Sequence, residues 1–82
     1  MTIAIRDAAA AGYRLSYRLE EIPLRRGKSY DIAVRIESEE GAEAKTIHDV
    51  SRDRTEAERL FRAVADGLVT PCTLRDVLED LL

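Results

Sequence analysis

Twice between Tyr13 and Glu37 the apolar residues recur at every second position, a spacing that no helix satisfies. In "YRLSYRLEE", Tyr13, Leu15, Tyr17 and Leu19 alternate with Arg14, Ser16, Arg18 and Glu20. Successive side chains of a strand point to opposite faces, so this run predicts a strand with one buried face and one wet face. Ile22 and Leu24 fall on the opposite parity after the Glu20-Glu21 pair, which predicts an end or a bulge there, and Pro23 has no amide to give to a ladder. The alternation returns as Tyr30, Ile32, Val34 and Ile36 against Asp31, Ala33, Arg35 and Glu37, where β-branched residues suit a pleated surface. "SEEG" then closes on Gly41, which tolerates the positive φ of a tight turn, and "AEAKTIHDV" returns antiparallel as a third strand. Its two faces differ little. Ala42, Ala44, Thr46 and His48 share one, Glu43, Lys45, Ile47 and Asp49 the other, so Ile47 is out of phase with the small apolar set. An edge strand with a bulge near Ile47 is expected.

The period then changes from two to 3.6. Asp53 with Glu56 fits a capping box, and Ala57, Leu60, Phe61, Val64, Ala65 and Leu68 follow on one helix face. Gly67 is placed to end that helix in a left-handed cap, and Thr70-Pro71 blocks continuation. A second helix starts with a Thr73/Asp76 capping box and a Cys72/Val77 hydrophobic staple, and buries Leu74, Val77, Leu78, Leu81 and Leu82. The expected fold is α+β: a three-stranded antiparallel β-meander covered on one face by two C-terminal amphipathic helices, βββαα, in a single domain over 13–82. Residues 1–12 read as an N-terminal tail or a short extra strand, because Ile3 and Ile5 alternate too briefly and "AAAAG" suits helix, tail or linker alike.

At 82 residues the chain makes one thin-cored domain, and 45% hydrophobic with 35% charged residues is the composition of a globular domain, not a disordered one. Cys72 stands alone, so no internal disulfide forms, and no ligand cluster for a metal or fingerprint for a cofactor occurs. No apolar run approaches the ~20 residues of a membrane span, and "MTIAIRDAAAAG" lacks the basic start and long apolar stretch of a signal peptide. A cytoplasmic protein is expected.

Charge is uneven. Tyr13 to Ile36 holds six basic residues against three acidic, and Glu37 to Leu82 six against twelve. "PLRRGK", residues 23–28, raises nucleic-acid contact through Arg25, Arg26 and Lys28, with Arg14, Arg18 and Arg35 on the wet strand face. The turn reading is the stronger. Gly27 serves a hairpin, the same face carries Glu20, Asp31, Glu37 and Glu43, and Tyr13, Tyr17 and Tyr30 fall on the core parity, where they stack no base. His48 beside Asp49 is no ready dyad, since neighbours on a strand diverge. Cys72 reads as a shielded staple, and Glu79 with Asp80 as a solvated helix face. The chain is therefore expected to be no enzyme. It reads as a small interaction or assembly module acting through self-association, a homodimer or the partner of another protein, with Ala42 and Ala44 on the edge strand and Leu81 and Leu82 at the end of the last helix as the contact residues. Weak nucleic-acid binding through the hairpin 23–28 is the alternative.

The segments "YRLSYRLEE", "SYDIAVRIE", "IHDVSRDRTEAERL" and "LVTPCTLRDVLEDLL", in that order, resemble a family of short uncharacterised proteins, carrying a domain of unknown function, from spore-forming Gram-positive bacteria. The resemblance covers residues 13–82. It is carried by Tyr30, by Asp49, Val50 and Ser51 before the first helix, and by Leu74, Asp76, Val77, Glu79 and Asp80 in the last. It implies no activity, ligand or partner, and where the family often has a histidine before its last helix this chain has Thr73.

Overall fold

The computed structural model describes all residues, Met1–Leu82. Four strands precede the helices: β1 (Thr2–Ala10), β2 (Tyr13–Pro23), β3 (Lys28–Ser38) and β4 (Gly41–Ser51), then α1 (Arg54–Asp66), a 3-10 turn at Pro71–Thr73, and α2 (Leu74–Leu81). The strands form one antiparallel meander in the order β1-β2-β3-β4, so the class is α+β but the expected three-stranded sheet is corrected to four.

The added strand is the alanine-rich start of the chain. β1 pairs with β2 from Ala4↔Leu19 to Ala10↔Tyr13, and Ala11 (φ 48) and Gly12 (φ 85) form the two-residue loop between them. Positive φ at both loop positions is the hairpin geometry whose twist matches that of the strands. Alanine has only a weak preference against strands, and hydrogen bonding to the otherwise open edge of β2 overrides it. A bulge between Thr2 and Ala4 adds Ile3 to the residues packed against the core, while Ile5, 61% exposed, lies on the opposite face.

β2 does not end or bulge at Glu20-Glu21, as its parity break suggests. It stays in register with β3 as far as Pro23↔Lys28, because Glu21 occupies the helix-facing position after Leu15, Tyr17 and Leu19. The face assignment of β4 is also corrected. Ile47 pairs with Ile32 on the helix face, with Lys45 and Glu43 following along that face, and Ala42, Ala44 and Thr46 lie on the open face. The bulge falls just after Ile47: pairing passes from Ile32↔Ile47 to Tyr30↔Ser51, with Asp49 at φ 55, and Val50 is thereby delivered to the core.

The core lies between the helix face and the helices. Tyr17, Leu19, Ile32 and Val34 are fully buried against Leu60, Val64 and Leu74, and the Tyr17 hydroxyl donates to the carbonyl of Val69 at 3.0 Å. The molecule measures 43 × 24 × 16 Å, and the helices do not reach the far end of the sheet, where Tyr13 is 48% exposed and Ile36 half-buried.

The helix ends follow the sequence in part. Asp53 caps α1, accepting from the Glu56 amide at 2.9 Å, but Glu56 completes no box and pairs instead with Arg59. At the other end Gly67 is right-handed (φ −80, ψ 0), and Leu68 takes the left-handed place at φ 51. The Val69 amide donates to Val64 O and the Leu68 amide to Ala65 O, both at 3.2 Å, which is a Schellman closure one residue later than expected. A Cβ at position 67 would sit 3.0 Å from Ala63 O. α2 starts directly after Thr73, its expected cap, but a 3-10 turn leads into it, so Thr73 already has helical backbone. Pro71 sits at the start of the 3-10 turn, Thr73 makes no capping bond, and its hydroxyl donates to Thr70 O at 3.3 Å. The extra turn moves Leu74 into the core and leaves Cys72 exposed, so Cys72 is not the shielded staple residue that its spacing suggests.

Candidate functional site

Three groups of polar side chains and one free backbone edge are available for function. The first group surrounds the β4 bulge. Asp31, buried on the open face, accepts from the Asp49 amide at 2.9 Å through Oδ1 and meets His48 Nδ1 at 2.7 Å through Oδ2. Asp49 accepts from Ser29 Oγ at 2.9 Å and from two nitrogens of Arg52 at 2.8 and 3.1 Å, and Arg52 first and Ser29 second hold its carboxyl below the usual range. The sequence places His48 next to Asp49; the structure pairs it with Asp31, 17 residues away across the ladder. An aspartate inside a strand, where that residue is disfavoured, is the sequence signal for such a contact. Ser29 donates to Asp49 and not to this pair, and Asp31 holds the bulged backbone through the Asp49 amide.

The second group sits at the rim of the core. Glu21, 7% exposed, accepts from the Tyr30 hydroxyl at 3.1 Å and pairs with Lys28 at 3.1 Å and Arg54 at 3.9 Å. The bond to Lys28 is the largest influence holding the Glu21 carboxyl below its ordinary range, whereas burial pushes the Tyr30 hydroxyl up and the Glu21 charge adds to that. Every buried side-chain nitrogen and oxygen has a hydrogen-bond partner.

The third group comprises the arginines. The 23–28 segment is a turn, closed by the Leu24 amide donating to Gly27 O at 3.1 Å with Gly27 at φ 83. Lys28 is taken up by Glu21, which leaves Arg25 and Arg26 exposed at the tip. Arg14, Arg18 and Arg35 do share the open face, yet Arg18 pairs with Glu20 at 3.4 Å and Arg35 with Glu37 at 2.7 Å. Arg14 and the tip lie at opposite ends of β2, roughly 30 Å apart at the rise of a strand. The six basic residues therefore form no single patch. A shallow hollow of about 550 Å³ between Asp7, Arg14, Ser16, Arg35 and Glu37 has both signs of charge in its wall.

The backbone edge is β4. Bonded and unbonded pairs alternate in an antiparallel ladder. Counting from Leu24 and Gly27, Ile22 with Ser29 and Glu20 with Asp31 exchange bonds between β2 and β3, so Ile32, Val34 and Ile36 turn their amides to β4. Their partners there are Ile47, Lys45 and Glu43, which leaves the amides and carbonyls of Ala42, Ala44 and Thr46 pointing out of the sheet. All six residues from Gly41 to Thr46 are exposed. Leu81 packs against the core and Leu82, 70% exposed, ends α2, where the Arg59 guanidinium donates to the Leu81 carbonyl at 3.3 Å.

No three His, Cys, Asp or Glu side chains are grouped to hold a metal ion, and no helix is long and apolar enough to cross a membrane. The fold and these sites define a small α+β protein whose accessible features are a polar sheet face and an open strand edge. It belongs to the family of unknown function DUF6514, whose pattern matches residues 1–82. No curated protein and no solved structure matches the chain.

Proposed function

We propose that the protein is a non-enzymatic assembly module of the cytoplasm that works by homodimerising. One observation carries this reading: Ala42, Ala44 and Thr46 present a row of unpaired amides and carbonyls on an edge with neither proline nor a bulge between Gly41 and Ile47. Natural proteins blunt such edges unless something pairs with them. Two-fold dimers are the commonest oligomers, and they let one edge cover its own copy. On the resemblance of its sequence segments alone, the module is placed in spore-forming Gram-positive bacteria. Light scattering across a concentration range tests the reading, with a mass near twice the 9.2 kDa chain expected and a single-chain mass throughout overturning it.

A second reading, weak nucleic-acid binding, is favoured by the exposure of Arg25 and Arg26 at the hairpin tip, where no ion pair engages them. Its signature is a monomer that shifts an oligonucleotide at low salt and releases it as salt rises.

A further inference from the structure

We infer that β4 pairs antiparallel with β4 of a second copy about a two-fold axis at Ala44, which joins two four-stranded sheets into one continuous sheet. This rests on the self-association proposed above and specifies its register. In a two-fold antiparallel pair, outward-facing residues must meet outward-facing residues. With the axis at Ala44, that residue exchanges both backbone bonds with its own copy, and Ala42 exchanges them with Thr46 on either side. The intervening positions place Glu43 of each copy opposite Lys45 of the other. Such unbonded pairs have Cα atoms only about 4.5 Å apart, so opposite charges meet closely. Both side chains are exposed and neither has an ion-pair partner within the chain.

The other two-fold registers of this edge are less favourable. An axis at Glu43 or Lys45 sets like charges against each other, an axis at Thr46 runs each strand into the bulge that follows Ile47 in the other, and an axis at Ala42 runs each strand past Gly41 into the Glu39-Glu40 turn of the other. The paired stretch is also bounded. Gly41 meets Ile47 of the second copy, and beyond Ile47 the bulge at His48–Val50 interrupts the ladder. The helices cover β4 only from Ile47 onward, since Gly41–Thr46 are exposed, so the second strand lies beside an uncovered stretch.

β1, the opposite edge, has no equivalent register. Its outward groups belong to Ile5, Asp7 and Ala9, because Arg6 and Ala8 bond to Tyr17 and Leu15. An axis at Asp7 opposes two carboxylates and one at Arg6 opposes two guanidinium groups. Arg6 and Asp7 lie on opposite faces, so no register joins them, and the bulge at Ile3 shortens the flat stretch.

The test uses the full chain and sedimentation equilibrium. Ala44→Pro removes an amide that takes no part in the β3–β4 ladder, so circular dichroism should be unchanged while the dimer is lost. Glu43→Lys or Lys45→Glu alone should weaken the dimer about tenfold or more, the double exchange should restore it, and an equal mixture of the two single variants should associate. A wild-type chain that stays monomeric removes the self-association reading together with the register. A dimer indifferent to Ala44→Pro leaves self-association standing on another surface and overturns the β4 edge. A dimer lost with Ala44→Pro but blind to the charge exchange overturns the axis at Ala44. Should Ala44→Pro lose its fold, the charge series decides alone.

Discussion

The sheet is held differently at its two ends. Around Glu21, Tyr30 and Ile32, both helices lie over the strands, the buried polar groups are paired, and the bulged strand delivers Val50 to the same core. Around Tyr13, Ile36 and Gly41–Lys45, the strands continue beyond the helices and are held by their ladders and two tight turns. Apolar burial, the dominant favourable contribution to folding, is therefore concentrated at one end. The other end keeps its backbone geometry with little burial to stabilise it. That division leaves the side chains of the bare end less constrained by packing.

The largest effect that separates the ends is expected from two isoleucines on the same face of β3. Ile32 is fully buried and Ile36 half-buried. Ile32→Ala should cost about 2–5 kcal/mol by transfer and cavity formation. Ile36→Ala should cost about 1 kcal/mol, since solvent already reaches that side chain. Urea denaturation of both variants at equal slope checks this, and equal losses would remove the distinction between the ends.

The Glu21 cluster gives the covered end a pH dependence of its own. Lys28 holds the Glu21 carboxyl below its ordinary value, so the folded chain favours the ionised form. A lowered folded pKa contributes stability that is complete above the unfolded value, about 4.3, and is lost as pH falls through the folded one. Glu21→Gln should therefore be less stable than the wild type near neutrality and lose less stability on acidification to about pH 3. Parallel curves for the two proteins would mean that Lys28 and Arg54 do not favour the charged form.

The two helix starts sharpen the comparison at a smaller scale. Asp53→Ala removes an acceptor that the Glu56 amide uses at 2.9 Å and should cost about 0.5–2 kcal/mol. Thr73→Ala removes a hydroxyl that caps no amide and should cost less than about 0.5 kcal/mol. Denaturation midpoints decide this, and a larger loss at Thr73 would restore it as the cap that the sequence pattern suggests.

These contrasts also show which parts of the molecule are legible in the sequence. β2 and β3 are, because their buried and wet faces carry different chemistry. β1 and the first half of β4 are not, because alanine occupies positions on both and gives period-two patterns little contrast: Ala8 and Ala9 of β1 face opposite ways with the same side chain. The β1 bulge escapes for a related reason, whereas the β4 bulge is expected near Ile47 and falls just after it. The β4 bulge is held by Asp31 from the neighbouring strand, a contact that local spacing along β4 does not contain. α1 is legible in its apolar face and its Asp53 cap, whereas the residue that takes positive φ at its end is settled by closure onto Val64 and Ala65, and Leu68 takes it although a glycine stands one place before. Of the candidate contact residues, the position of Ala42 and Ala44 on an edge strand is legible, but which of their backbone groups are free depends on the ladder of β2 with β3.

Leu68 provides the smallest of these effects and the one with an unusual sign. It links α1 to the segment that sets Val69 over Tyr17, on the covered side of the comparison, and it does so at φ 51 with its side chain half in solvent. A left-handed conformation costs a residue with a Cβ about 1–2 kcal/mol. Leu68→Gly relieves that strain and keeps both Schellman bonds, which involve only the backbone. Against this, glycine gives the unfolded chain more freedom, worth about 0.4–1 kcal/mol. The net expectation is a gain of roughly 0.5 kcal/mol, visible as a small rise in the thermal midpoint. Gly67→Ala should move the other way, because its Cβ would stand 3.0 Å from the Ala63 carbonyl in a turn that has no room to relax without disturbing Val69. A clear loss of stability in Leu68→Gly would mean that the buried half of the leucine contributes more than its backbone strain takes away, and that the cover over Tyr17 extends further along this segment than Val69.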